Sequence, residues 1–243
     1  ESIDAVKAGT VEAGHGCPYY WKGKAPAAEV VSNIPFGLTA QEYNAWYHYG
    51  GGDKLCDELY REAFGCKYLV CGGTGVQHPG WGRKEVNTLD DFKGLKMRMP
   101  GLGGEVMKRI GATVVNLPGG EVGPALASGA VDWVEWNNPY GEASMGFHRH
   151  AKYYYTPGWH EPGTTSEFGF HKKAYEALPA DLKHIVNYAC QSMQVHTLME
   201  YEAKNIAALQ KLKTEFKDKV EILALNAPTA LASAEDAAHA VAG

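Results

Sequence analysis

Several common functional signatures are missing from this 243-residue sequence. No apolar run is long enough to cross a bilayer as a helix. The five cysteines, Cys17, Cys56, Cys66, Cys71 and Cys190, include no CxxC pair, which argues against a zinc ribbon or a thioredoxin-type site. Their odd number leaves at least one thiol unpaired within the chain. A bridge among Cys56, Cys66 and Cys71 and a set of free thiols both stay open. There is no GxxxxGKS or GxxxxGKT loop and no GxGxxG opening a helix, so nucleotide binding has no support. No HExxH or GxSxG is present, which removes the usual zinc-protease helix and the hydrolase nucleophile elbow. Positive charge is not in excess: 23 Lys and Arg face 28 Asp and Glu, a net charge of -5 that argues against a nucleic-acid surface. Glu1 is preceded by no initiator Met and no basic-then-apolar leader, so the expectation is a processed form or a fragment.

What is there is an alternation of short strands and helices, clearest between Phe92 and Gly141. Leu95, Met97 and Met99 alternate with Lys96 and Arg98, a period of two that predicts a strand with one buried face. Pro100 and Gly101 stop it. Residues 103–110 read as a helix closed by Gly111, residues 112–117 as a strand, 121–128 as a helix stopped by Gly129, and 131–136 as a third strand. Such alternation predicts an α/β fold with a mostly parallel sheet and helices on both faces. Residues that follow parallel strands face the ligand crevice of such sheets, which singles out Glu135, Trp136, Asn137 and Asn138, with Arg98 near the end of its own strand.

Before this stretch, residues 2–8 read as a helix and 10–14 as a strand. Ala5, Gly9, Val11 and Glu12 find counterparts in Ala125, Gly129, Val131 and Asp132, which is either chance or the mark of two related α/β lobes. Residues 17–24 (CPYYWKGK) form an aromatic loop. Thr39 caps a helix over residues 40–49, with Glu42 in capping-box spacing. A second helix spans 53–64 and a strand 67–71. The Gly-rich run 72–82 carries Gln77 on a turn. Residues 168–171 read as a strand and 172–177 as a short helix. A long helix runs from Pro179 to about Phe216, with an apolar face that includes Leu182, Ile185, Met193, Met199 and Ile206. Residues 220–225 read as a last strand, and the tail from Pro228 as a helix or a frayed end.

Arg98 is the sharpest single candidate, because its planar fork suits a carboxylate. Glu135 and Glu161 form the second. Two carboxylates beside a carboxylate ligand would repel it unless a cation sat between them. Hard cations take oxygens from carboxylates, amides and backbone carbonyls, so Gln77 and the carbonyl of Trp136 are suitable further ligands. His160 stands beside Glu161 without an HExxH. His148 and His150 read as a polar face.

The run KMRMPGLGGEVMKRIGATVVNLPGGEVGPALASGAVDWVEW resembles the substrate-binding receptors of TRAP (tripartite ATP-independent periplasmic) transporters, the DctP family. PYYWKGK, TGVQHPGWGRKEV, the Glu135-Trp136 pair and AKYYYTPGW followed by Glu161 resemble its α-keto acid branch. The resemblance covers Ile3 to about Leu225. It implies a periplasmic binding protein type II-like fold: two α/β lobes, a cleft between them and a long lobe-spanning helix, with the N-terminal part missing here. The lobes expected are 1–76 with 164–200, and 77–163 with 201–243.

By the same resemblance, Arg98 clamps the ligand carboxylate. Gln77, Glu135, the carbonyl of Trp136 and Glu161 hold a metal cation, sodium or calcium, and Tyr20 closes over the ligand. Asn138-Pro139 departs from the Gly-Pro-Tyr-Asp type of sequence usual in the branch and adds Asn138 as a candidate contact. The function implied is that of a non-catalytic periplasmic receptor. It would pass a small 2-oxo or 2-hydroxy monocarboxylate, such as pyruvate, 2-oxobutyrate or lactate, to a membrane permease. A homodimer is a further partner the branch allows. The alternatives are a receptor for a sugar acid or a dicarboxylate, and a metal-dependent keto-acid enzyme.

Overall fold

The computed structural model describes residues 2–224. The predicted tail from Pro228, and Leu225 at the end of the last predicted strand, lie outside the described residues. The chain falls into two compact units. One is drawn from Glu1–Asn33, Leu38–Gly75 and Gly163–Glu200, the other from Ile34–Gly37, Val76–Pro162 and Tyr201–Gly243.

The first unit is built on a three-stranded antiparallel sheet. Its strands are Ala13–Gly16 (β1), Cys66–Gly75 (β2) and Thr164–His171 (β8), in the order β1-β8-β2. The sheet carries Ser2–Lys7 (α1), Ala40–Tyr49 (α2), Gly52–Phe64 (α3) and Lys172–Ala177 (α7). α2 starts where its cap requires. Thr39 accepts the Glu42 N–H, and the Glu42 carboxylate accepts the Thr39 N–H at 2.8 Å. α3 ends at Gly65, whose φ of 64° only glycine adopts without strain. The core gathers Tyr43, Tyr47, Tyr60, Phe64 and Tyr68 between sheet and helices. Tyr60 and Tyr68 meet edge-on, 4.7 Å apart at 61°, while Tyr43 and Tyr47 lie stacked at 8°.

The second unit holds six strands: Gly80–Gly82 (β3), Lys96–Arg98 (β4), Thr113–Val115 (β5), Trp133–Val134 (β6), Tyr153–Thr156 (β7) and Glu221–Ala224 (β9). Their order is β5-β4-β6-β3-β7-β9. β4 is parallel to β5 and β6, and β7 to β9, but β3 runs antiparallel to both of its neighbours. The parallel pairing expected of the stretch from Phe92 to Gly141 is present in β4, β5 and β6, and β3 is the strand that departs from it. The parallel pairing of β4, β5 and β6 follows the βαβ units through Gly101–Ile110 (α4) and Gly119–Ser128 (α5), whereas β3, β9 and all of the first unit's strands join by other routes.

Two further expectations shift. β1 begins at Ala13, so Val11 stays exposed while its proposed counterpart Val131 is buried. The helix Ala180–Thr214 (α8) is there, with its first part in one unit and the rest in the other. Most of its apolar stripe, however, stays exposed: Ile185, Met199 and Ile206 are more than half exposed, Leu209 packs on the second unit's core, and the positions buried are Cys190, Gln194 and Leu212. All five cysteines are free thiols.

Candidate functional site

The site grows from the end of β4. Strict alternation puts Arg98 on the same face as the exposed Lys96, yet Arg98 is only 1% exposed. β4 is an inner strand, with Arg98 paired beside Val115 and Val134, so its last side chain emerges under neighbouring backbone. The Glu135 N–H donates to the Arg98 carbonyl at 2.9 Å. The guanidinium turns back on the same residue: Nη1 donates to the Glu135 carbonyl at 2.5 Å and lies 3.1 Å from Oε2. Its carbon also sits 5.1 Å from the centre of the Trp136 ring. Gly119, the first residue of α5, makes room for that ring, since a Cβ there would fall 2.6 Å from it.

Glu161 and His160 arrive from the segment between β7 and β8, and both are buried. The Glu161 carbonyl accepts the Gln77 N–H at 2.9 Å, which binds that segment to the turn after β2. Gly158 lets the two backbones meet, because a Cβ there would stand 1.5 Å from the Gln77 carbonyl oxygen. His160 Nε2 is 3.5 Å from Glu135 Oε1, an electrostatic contact at the limit of a hydrogen bond. Burial disfavours a charged His160, but Glu135 foremost, then Glu161 and Glu142, outweigh it and raise its proton affinity. His78, by contrast, is pushed down to about 4 by burial and by His160.

Asn137 and Asn138 complete the strand-following turn that leads into Pro139–Met145 (α6). The His78 N–H donates to the Asn137 carbonyl and the Asn138 N–H to Asn137 Oδ1, each at 2.6 Å. Behind them Glu142 is buried, accepts the Trp81 Nε1–H at 3.1 Å, and is pushed up to about 7 by desolvation. Gln77, Arg98, Glu135, Trp136, Asn138 and Glu161 thus belong to one unit and are joined by these contacts. Tyr20 belongs to the other unit, where it is 40% exposed in a single 3₁₀ turn, Pro18–Trp21, with Tyr19 and Trp21 buried beside it.

One ligand atom from each of Glu135, His160 and Glu161 lies within 4.8 Å of the others. Among the described residues, Glu135 Oε1 and His160 Nε2 have only their 3.5 Å contact with each other, and His160 Nδ1 has no hydrogen-bond partner. A buried carboxylate oxygen left so is costly, and a hard cation among these groups would remove the cost. The larger of two described surface cavities, about 790 Å³, is elsewhere in the unit, lined by Arg83, Arg149, Lys152 and Lys219 among others. Its lining contains no carboxylate and does not suit a cation.

His160 and Glu142 were not singled out by sequence patterns. The adjacency of His160 to Glu161 is a usable signal, but it matches no metal motif. Nothing in the sequence marks Glu142 as buried.

The family model for bacterial extracellular solute-binding protein family 7, DctP, matches residues 1–242. The chain belongs to this family. A relative, a monocarboxylate 2-oxoacid-binding periplasmic protein of Nostoc sp., is 43% identical over 210 residues, which are 86% of this chain and 57% of that protein. The chain therefore spans little more than half the length of this curated relative. A crystal structure of a TRAP periplasmic solute-binding protein from Pseudoalteromonas atlantica, with bound sodium and pyruvate, aligns at a TM-score of 0.93 and 40% identity, over 98% of this chain and 71% of that one. One from Colwellia psychrerythraea, with bound calcium and pyruvate, aligns at 0.93 and 38%, over 98% and 72%. The α/β fold with its long helix is that of these TRAP periplasmic solute-binding proteins. No helix among the described residues is long and apolar enough to cross a membrane.

Proposed function

We propose that this chain is the periplasmic solute-binding receptor of a TRAP transporter. It would bind a small 2-oxo or 2-hydroxy monocarboxylate together with sodium or calcium, hand it unchanged to the membrane permease, and catalyse nothing. The observation that carries the reading is a buried guanidinium beside two buried glutamates in one cluster, Arg98 with Glu135 and Glu161. Relatives at 38–43% identity that carry 2-oxoacid or pyruvate in their descriptions support the same class of ligand.

Arg98 takes the ligand carboxylate through charge-assisted hydrogen bonds in a desolvated setting. Glu135, Glu161, Gln77 and the Trp136 carbonyl are the oxygen donors for the cation, and His160 steadies Glu135. A hard cation held there offsets the glutamate charges and accepts the oxo or hydroxyl oxygen next to the carboxylate. Asn138 and Tyr20 are further ligand contacts in this reading, and the two compact units are its two lobes. Calorimetric titration of the intact protein with pyruvate, 2-oxobutyrate and lactate, with and without sodium or calcium, tests it. Heat of binding is expected for at least one acid in the presence of a cation. Silence for all three under every condition rejects it.

A further inference from the structure

The proposed function assigns Arg98 and Glu135 to different guests, the arginine to the acid and the glutamate to the cation. In the structure they hold each other, Nη1 to Oε2 at 3.1 Å, with both side chains 1% exposed. Resting on that reading, we propose that Glu135 is an internal competitor: its carboxylate occupies Arg98 in place of the ligand's until a cation draws it away. Acid binding is thereby made conditional on the cation.

The physical ground is charge matching where water is excluded. A buried guanidinium and a buried carboxylate each need a counter-ion, and losing one partner leaves the other uncompensated. An acid arriving alone would set its carboxylate against Glu135 over a single guanidinium. A cation arriving alone would share Glu135 with that guanidinium. When both arrive, Glu135 turns to the cation and Arg98 to the acid, and each charge keeps a partner. The second Arg98 contact, to the backbone carbonyl of Glu135 at 2.5 Å, does not depend on the carboxylate. Together with the Trp136 ring, it holds the guanidinium in place while the side-chain pair opens.

Two variants test this in calorimetry on the intact protein, with pyruvate and calcium chloride as probes and EDTA for the cation-free arm. Wild type should bind pyruvate in calcium and about tenfold or more weaker in EDTA. Glu135→Gln should lose calcium affinity yet gain pyruvate affinity in EDTA, about tenfold over wild type in EDTA. Arg98→Gln, measured without pyruvate, should bind calcium about tenfold tighter than wild type. Circular dichroism checks folding, and if Glu135→Gln does not fold, the calcium arm of Arg98→Gln decides alone. A wild type that binds both probes, with folded variants showing neither gain, overturns the proposal and leaves the receptor reading standing. A wild type that binds neither probe overturns the reading beneath it.

Discussion

Both compact units bury glutamates, and Glu135 and Glu167 are kept in opposite ways. Glu135 in the second unit is given a guanidinium at 3.1 Å and an imidazole at 3.5 Å. Glu167 in the first unit, on β8, is given only the indole N–H of Trp21, and its Oε2 has no partner among the described residues. Desolvation therefore pushes Glu167 up to about 8, so that it stays protonated at neutral pH. One carboxylate sits beside a guanidinium and an imidazole, whereas the other keeps its proton. The difference teaches that burial alone does not mark a binding residue, and that the company a buried acid keeps does.

The sharpest way to break the comparison is Arg98→Ala. It leaves Glu135 buried without its guanidinium, which should cost roughly 3–5 kcal/mol of stability in urea melts. Calorimetric binding of pyruvate should disappear with it, and retained affinity would remove the clamp.

Glu167→Gln comes next. In the fold Glu167 keeps its proton up to about pH 8, while in the unfolded chain it releases it near the ordinary 4.5. The stability it contributes is fully present below pH 4.5 and is lost as pH rises through about 8, on the order of a few kcal/mol. Glu142, raised to about 7, declines in the same direction. Urea midpoints between pH 4 and pH 9 should thus fall for wild type and fall less for Glu167→Gln, with the variant the more stable of the two at pH 9.

Gly158→Ala tests the support beneath the second unit's glutamates. The added methyl collides with the Gln77 carbonyl and must push two backbones apart, at a cost of about 1–3 kcal/mol. It should weaken calcium binding several-fold in calorimetry. Thr39→Ala, remote from either acid, removes one capping-box hydroxyl and should lower stability by only about 1 kcal/mol, with calcium and pyruvate binding unchanged.

Much of the scaffold was legible because local chemistry dictates it. The capping box at Thr39 and Glu42 and the left-handed glycines after α3 and α4 set helix ends within a residue or two. Strand ends were less legible, since β1 and β6 are cut short or displaced by pairing that only the fold decides. Arg98 was legible as a candidate but not as a buried one, because alternation reports a face and not what covers it. The stripe on α8 failed for the same reason: Met199 and Ile206 have helical spacing, yet spacing names no partner. His160 could not be weighed, because its place beside Glu135 depends on two segments twenty-five residues apart, brought together by the sheet.

The indole of Trp136 under the Arg98 guanidinium has a practical consequence. Indole emission shifts in colour when a charge beside the ring moves. Under the proposed function, the residue that grips the anion rests on this fluorophore, and Trp136 emission would report occupancy. A dye-free sensor for small organic acids could be built on it.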